Sequence, residues 1–215
     1  MTDTEIHDIC YWYDIENYTI NKDKSIDVDG EVHIIDRKLV ELPLNFNRVT
    51  GDFLFNTKQL QTLKGSPIRI DGYCDLSNCN LVSLDYCPEY IGGDLYLEHN
   101  MLISLKNISK YIGGVLVLHD NQIRSLSYLP KIDSLHIYHN PVCELWDLFE
   151  DEKQIEYFNE LDIITPDDKN IVLDRLNYFL LDIGKNELKL ISKEQSQFTT
   201  NKKDTIYLDD YNVIY

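Results

Sequence analysis

Leu39, Leu60, Leu81, Leu102 and Ile123 stand 21 residues apart, and Leu42, Leu63, Leu84, Leu105 and Leu126 repeat the interval three positions on. A shortened last unit supplies Val142 and Leu145. No other feature constrains the fold as tightly. A fixed interval of this length makes each unit one turn of a stack, unable to bury its apolar side until the next turn lies on it. Each unit opens with an apolar-x-apolar pair: Val32/Ile34, Phe53/Phe55, Cys74/Leu76, Leu95/Leu97, Leu116/Leu118 and Leu135/Ile137. That alternation puts both side chains on one face of a short strand.

The expected fold is therefore an α+β repeat solenoid, a leucine-rich repeat with short parallel strands, six units long and spanning residues 31–145. Three residues past each pair comes Arg37, Lys58, Cys79, Asn100, Asn121 or Asn140. An Asn amide there can satisfy backbone groups of the turn that leaves the strand. Arg37 and Lys58 lack that capacity, so a looser turn is expected at the N-terminal end. The return segments carry Ser66-Pro67, Cys87-Pro88 and Leu129-Pro130, with Gly92-Gly93 and Gly113-Gly114 allowing a tight turn into the next strand. They are too short for a full helix, which leaves extended or 3₁₀ turns.

The ends of such a stack must be covered. Residues 1–30 read as an N-terminal cap. In it, a helix capped by Thr4 carries Ile6, Ile9, Cys10 and Tyr13 on one face, with Trp12 packed into the cap. A hairpin then pairs Tyr18/Ile20 with Ile26/Val28 and shields the edge of the first repeat. Residues 146–184 read as a C-terminal helical cap, with a small independent module as the alternative. Trp146, Leu148 and Phe149 lead into an acidic helix with Ile155, Tyr157, Phe158 and Leu161. A second helix starts at Thr165-Pro-Asp-Asp168, presents Ile171, Leu173, Leu176, Phe179, Leu180 and Ile183, and ends at Gly184. In residues 185–215, Leu188/Leu190 and Ile206/Leu208 either pair as strands or belong to a flexible tail.

The net charge of −17 argues against nonspecific phosphate binding, which needs clustered Lys and Arg, and favours a basic partner. No apolar run approaches the roughly 18 residues of a membrane helix, and no basic-then-apolar leader opens the chain. A cytoplasmic protein is expected. Its five cysteines are odd in number and each occupies a repeat or helix position, so reduced, mostly buried thiols are expected rather than disulfides or metal fingers.

Residues between and beside the apolar pairs point outward. One column is Glu31, Asp52, Tyr73, Asp94, Val115, Ser134. The next is His33, Leu54, Asp75, Tyr96, Val117, His136, and the third Ile35, Asn56, Ser77, Glu98, His119, Tyr138. Of these 18 positions five are acidic and none is Lys or Arg, which fits a basic partner. Tyr73, Asp75, Asp94, Tyr96, Glu98, Val115, Val117, His119, His136 and Tyr138 are the candidate partner-binding residues. Tyr96, Val117 and Tyr138 form the expected centre, with Glu31, Asp52, Asp75, Asp94 and Glu98 as steering charges. The expectation is a non-enzymatic protein-protein interaction module with self-association left open. The alternative is an acidic decoy that occupies the nucleic-acid site of a basic protein.

Catalytic chemistry has little to stand on. His99, Asp120 and His139 share a column about one strand spacing apart, roughly 4.8 Å, and are of metal-ligand type. They fall in a turn where polar residues are expected anyway. Ile91-Gly-Gly-Asp94 is a repeat turn rather than a phosphate loop, and no nucleophile-base arrangement stands out. No cofactor is expected.

The phrases Asn17-Tyr-Thr-Ile-Asn21, Ser25-Ile-Asp-Val-Asp-Gly30, Leu42-Pro-Leu-Asn-Phe46 and Leu84-Asp-Tyr-Cys-Pro-Glu-Tyr-Ile-Gly-Gly93 resemble the short leucine-rich-repeat proteins of large tailed bacteriophages and related bacterial elements. The resemblance covers residues 15–145 and implies a phage-encoded interaction module in the host cytoplasm, an antagonist of host defence or a modifier of a host enzyme. Short repeats also occur in secreted bacterial ubiquitin ligases. Those carry a catalytic Cys in a large separate domain, and here no Cys follows Cys143.

Overall fold

The computed structural model of the chain describes residues 1–132, 134–140, 142, 152–161, 163, 170–185 and 212–214. Two compact units result: residues 1–123 with 128–140, and residues 124–127 with the described residues from 142 onward.

The first unit is a solenoid of parallel strands. After helix α1 (Asp3–Trp12), the chain forms β1 (Tyr18–Ile20), β2 (Ile26–Val28), β3 (Val32–Ile35), β4 (Phe46–Val49), β5 (Phe53–Asn56) and β6 (Arg69–Ile70). It continues through β7 (Cys74–Asp75), β8 (Tyr90–Ile91), β9 (Leu95–Tyr96), β10 (Tyr111–Ile112), β11 (Val115–Val117) and β12 (Ser134–His136). Sheet A runs β1-β2-β4-β6-β8-β10 and sheet B runs β12-β11-β9-β7-β5-β3. Both are parallel except for the β1–β2 hairpin. Each full turn thus gives one strand to each sheet. The return segments are extended, as their length requires, and from β2 onward they build a sheet of their own.

Columns of like side chains fill the interior. Phe53, Cys74, Leu95 and Leu116 line sheet B and Val49, Ile70, Ile91 and Ile112 line sheet A, all buried. Leu60, Leu81, Leu102 and Ile123, with Leu63, Leu84 and Leu105, are also buried. Burying one such side chain is worth about 1.5–3 kcal/mol, so the stack is held chiefly by these columns.

The corner between the sheets explains the glycines differently from a tight turn. Gly92 and Gly113 are not left-handed. A Cβ on Gly92 would collide with the Asp71 carbonyl of the neighbouring rung, and one on Gly113 with the Gly92 carbonyl. Backbone meets backbone there, and only hydrogen fits. Left-handed backbone lies instead just past sheet B, at Asn78, His99, Asp120 and His139, with φ of 58°, 55°, 53° and 57°. Asn, Asp and His tolerate that region better than most residues, which accounts for the polar column.

Three N-terminal expectations need correction. The cap of α1 is Thr2, not Thr4: Thr2 and Glu5 exchange hydrogen bonds in a capping box. Ile6 and Cys10 are buried as expected, but Trp12 is 79 % exposed and packs into nothing. The helix ends at that residue, so its side chain projects past the last buried turn. The hairpin forms in the expected register, yet β2 pairs with β4 of sheet A and not with the first repeat strand β3.

The second unit contains α2 (Glu152–Glu160), β13 (Asn170–Val172), α3 (Leu173–Asp182) and β14 (Asn212–Ile214), with β13 and β14 parallel. Phe158 meets Phe179 edge-on at 5.4 Å, and Leu173, Leu176, Phe179 and Leu180 are buried. The second helix begins later than expected. Ile171 lies in a strand, and Leu173 opens the helix without a side-chain cap. Its end is as expected: Gly184 is left-handed at φ 77°, and Gly184 and Lys185 donate back to the Leu181 and Leu180 carbonyls. Trp146, Leu148, Phe149, Thr165–Asp168, Leu188/Leu190 and Ile206/Leu208 lie outside the described residues. Among the described residues no helix is long and apolar enough to cross a membrane.

Candidate functional site

The outward face of sheet B is a lattice with rungs in one direction and strand positions in the other. Parallel register sets Asp75 beside Tyr96, Tyr96 beside Val117, and Val117 beside His136. One strand position further on, Glu98, His119 and Tyr138 follow one another from rung to rung, tied by the bonds from His99 N–H to His119 C=O and Asp120 N–H to Tyr138 C=O.

The frame beneath is held by a ladder of buried amides. Asn100 Oδ1 accepts from the Cys79 and Leu81 amides of the preceding rung, while its Nδ2 donates to the Leu76 and Leu97 carbonyls. Asn121 accepts from Leu102 and donates to Leu97 and Leu118, and Asn140 accepts from Ile123 and donates to Leu118 and Ile137. At the N-terminal end Thr57 stands in one position early, its Oγ1 donating to the Leu39 carbonyl at 2.6 Å. The turn expected to be loose there is partly rescued.

The acids of the face are not equivalent. Asp52 Oδ1 accepts from Tyr73 N–H at 2.9 Å and Asp94 Oδ1 from Val115 N–H at 2.7 Å. A Cβ on Gly72 or Gly114 would strike those same oxygens. Both carboxylates therefore cap the backbone of the next rung and are only secondarily available as steering charges. Asp75 accepts from the Ser77 amide. Glu98 is different: its Oε2 is shielded from solvent and has no hydrogen-bond partner among the described residues, and the same is true of His119 Nδ1.

The rings form two groups. Tyr73 and Tyr96 meet edge-on at 5.9 Å, and Tyr96 donates to Asp94 at 2.8 Å. The bond to Asp94 raises the Tyr96 phenol, and burial followed by the charges of Asp52, Asp75 and Glu31 raises that of Tyr73. His119 stacks on Tyr138 at 5.0 Å and on His136 at 5.7 Å. His136 is exposed, Tyr138 is 66 % exposed, and Val115 is half-buried. Val117, expected at the energetic centre, is only 8 % exposed. It is the small residue among Tyr96, His119 and His136, so the rings stand above it.

The opposite outward face was missed from sequence. On sheet A, Arg48 and Arg69 both bind Asp71, at 2.6 Å each. The Arg69 guanidinium lies 3.7 Å from the Tyr90 ring centre, and Tyr90 stacks on Tyr111 at 4.7 Å. Lys110 binds Glu89 at 2.8 Å. The signal was present as the column Arg48, Arg69, Tyr90, Tyr111, one residue before the buried column Val49, Ile70, Ile91, Ile112.

His99 and His139 both direct Nδ1 at Asp120, at 3.4 and 2.9 Å, on a largely exposed turn. Among the described residues no group of His, Cys, Asp and Glu has an arrangement able to hold a metal ion. Cys10, Cys74 and Cys79 are buried and Cys87 half-buried, and none of the four is in a disulfide. Burial pushes the thiols of Cys79 and Cys87 up to about 11, the wrong direction for a nucleophile. Cys143 lies outside the described residues.

Together these features define a parallel-strand solenoid with one internally paired face and one face of acids, imidazoles and tyrosines. No family profile, curated protein or solved structure shows significant similarity to the chain.

Proposed function

We propose that the chain is a leucine-rich-repeat interaction module that acts by binding rather than catalysis, gripping one protein on the outward face of sheet B. Consistent with the phage resemblance, it would work in the host cytoplasm, inhibiting or redirecting a host or phage protein. The observation that carries this reading is the run of rings over the last rungs, Tyr96 on one side of buried Val117 and the His136–His119–Tyr138 stack on the other. Partly exposed aromatic side chains gathered on a rigid sheet are what binding hot spots are made of.

The test is affinity capture from host cytosol with the native chain beside the Tyr96→Ala/Tyr138→Ala double variant. A single protein held by the first and lost by the second, with the variant's melting unchanged, is the expected result. Equal retention by both would remove sheet B as the site.

The acidic-decoy reading draws on the −17 charge and the lack of Lys or Arg on this face. Against it, Asp52 and Asp94 spend an oxygen each on backbone amides. A decoy's affinity would fall steeply between 50 and 200 mM salt, by about 10³-fold or more, whereas a ring-centred contact would change little.

A further inference from the structure

The two outward faces handle charge in opposite ways. On sheet A, Arg48, Arg69 and Lys110 are each matched by a carboxylate of the same face, Asp71 or Glu89. Sheet B carries Asp75, Asp94 and Glu98 on neighbouring rungs with no Lys or Arg at any outward position. Asp75 and Asp94 find donors within the fold, and Glu98 Oε2 does not. A shielded carboxylate oxygen without a donor is costly and uncommon in a native protein. One strand spacing away, His119 Nδ1 is equally shielded and equally without a partner among the described residues. The two groups sit side by side on adjacent rungs, an acceptor oxygen and a ring nitrogen that accepts in the Nε2–H tautomer.

Resting on the reading of sheet B as the binding face, we propose that Glu98 and His119 receive an arginine side chain of a basic protein partner. The chemistry selects the guanidinium over other cations. It is planar, carries five N–H donors in a fixed fork, and stacks on aromatic faces, whereas an ammonium is a compact and strongly hydrated point charge. Its donors would satisfy both groups once the Glu98 and His119 side chains turn outward to meet it. Tyr138, stacked on the far side of His119 within 11° of parallel, backs that ring, so the guanidinium would approach from the Glu98 side.

The experiment uses the full chain and three fluorescein-labelled hexapeptides, of arginine, of lysine and of alternating glycine and serine. Binding is read by anisotropy near 0.15 M salt, where exposed charges farther apart than about 8 Å are screened. The arginine peptide should bind, the lysine peptide should bind roughly tenfold more weakly, and the neutral peptide should not bind. Glu98→Gln should weaken the arginine peptide by roughly tenfold. Glu41→Gln, which removes the same charge from an exposed position elsewhere, should leave it unchanged. No binding of the arginine peptide, equal binding of arginine and lysine, or equal effects of the two substitutions would each overturn the proposal. The captured native partner separates this inference from the one it rests on. A partner lost with Tyr96→Ala/Tyr138→Ala but indifferent to Glu98→Gln leaves the face standing and removes the arginine.

Discussion

Sheets A and B are made by the same turns of chain, share one core and repeat with one period, yet their outer surfaces differ in what they leave undone. Sheet A closes its own accounts: Asp71 is held between Arg48 and Arg69, Tyr90 lies between Arg69 and Tyr111, and Lys110 meets Glu89. Sheet B commits some acids to the backbone and leaves Glu98 and His119 unsatisfied beside exposed rings. Repetition explains sheet A, since like residues on adjacent rungs stack and pair at little cost. It does not explain a shielded carboxylate oxygen with no donor. Solenoids present extended surfaces for binding, and the face that is not self-sufficient is the better candidate for that role.

The largest expected effect tests what the two faces share. Asn121→Ala strands the Leu102 amide and leaves the Leu97 and Leu118 carbonyls with one side-chain donor each, from Asn100 and Asn140. It should cost about 2–3 kcal/mol, since one stranded buried group costs about 1–3 and each lost hydrogen bond about 1. Denaturant unfolding would measure it, and a cost below about 1 kcal/mol would mean that the ladder is not what couples the rungs. Peptide binding should fall with it, because both faces rest on the same frame.

A smaller effect belongs to sheet A alone. The hydrogen bond from Arg48, helped by Arg69, holds the Asp71 carboxyl below its ordinary value against the opposing pull of desolvation. A carboxyl depressed in the folded state adds stability above its unfolded pKa of about 3.9. That contribution is lost as pH falls through the lower, folded value. Asp71→Asn should therefore cost about 1 kcal/mol at pH 7, and its melting curve should converge on the native one in strong acid. A gap that stays constant with pH would assign the loss to packing. Partner capture should not change.

The smallest effect has the opposite sign. Glu98→Gln replaces an unpaired charge with a neutral group of the same shape and should raise stability by a few tenths of a kcal/mol to about 1. A residue that weakens the free protein is one retained for another reason. If Glu98→Gln lowers the melting temperature instead, Glu98 has a structural partner and the contrast between the faces disappears.

The strand pairs on sheet B, the leucine columns and the ladder of Asn100, Asn121 and Asn140 were legible because a 21-residue interval registers each position against the next. Sheet A was hidden because strands as short as Arg69–Ile70 and Tyr90–Ile91 are too brief to show alternation. The column rule also treats every outward position alike, so it placed Val117 on the surface and did not see that larger neighbours stand above it. It read Asp52 and Asp94 as free charges for a related reason: their partners, the Tyr73 and Val115 amides, lie 21 residues away. The αL turn could have been inferred from Asn78, His99, Asp120 and His139, whose one common property is tolerance of that backbone.

The Asn ladder also sets an order in time. Asn100 completes bonds in the preceding rung, to Cys79, Leu81 and Leu76, and Asn121 reaches back to Leu97 and Leu102. A turn emerging from the ribosome therefore stays unfinished until the next has been made, which at about 5–20 residues per second is a lag of about one to four seconds. The nascent solenoid should advance like a zipper whose open end is always its newest rung, closing N-terminal turns first.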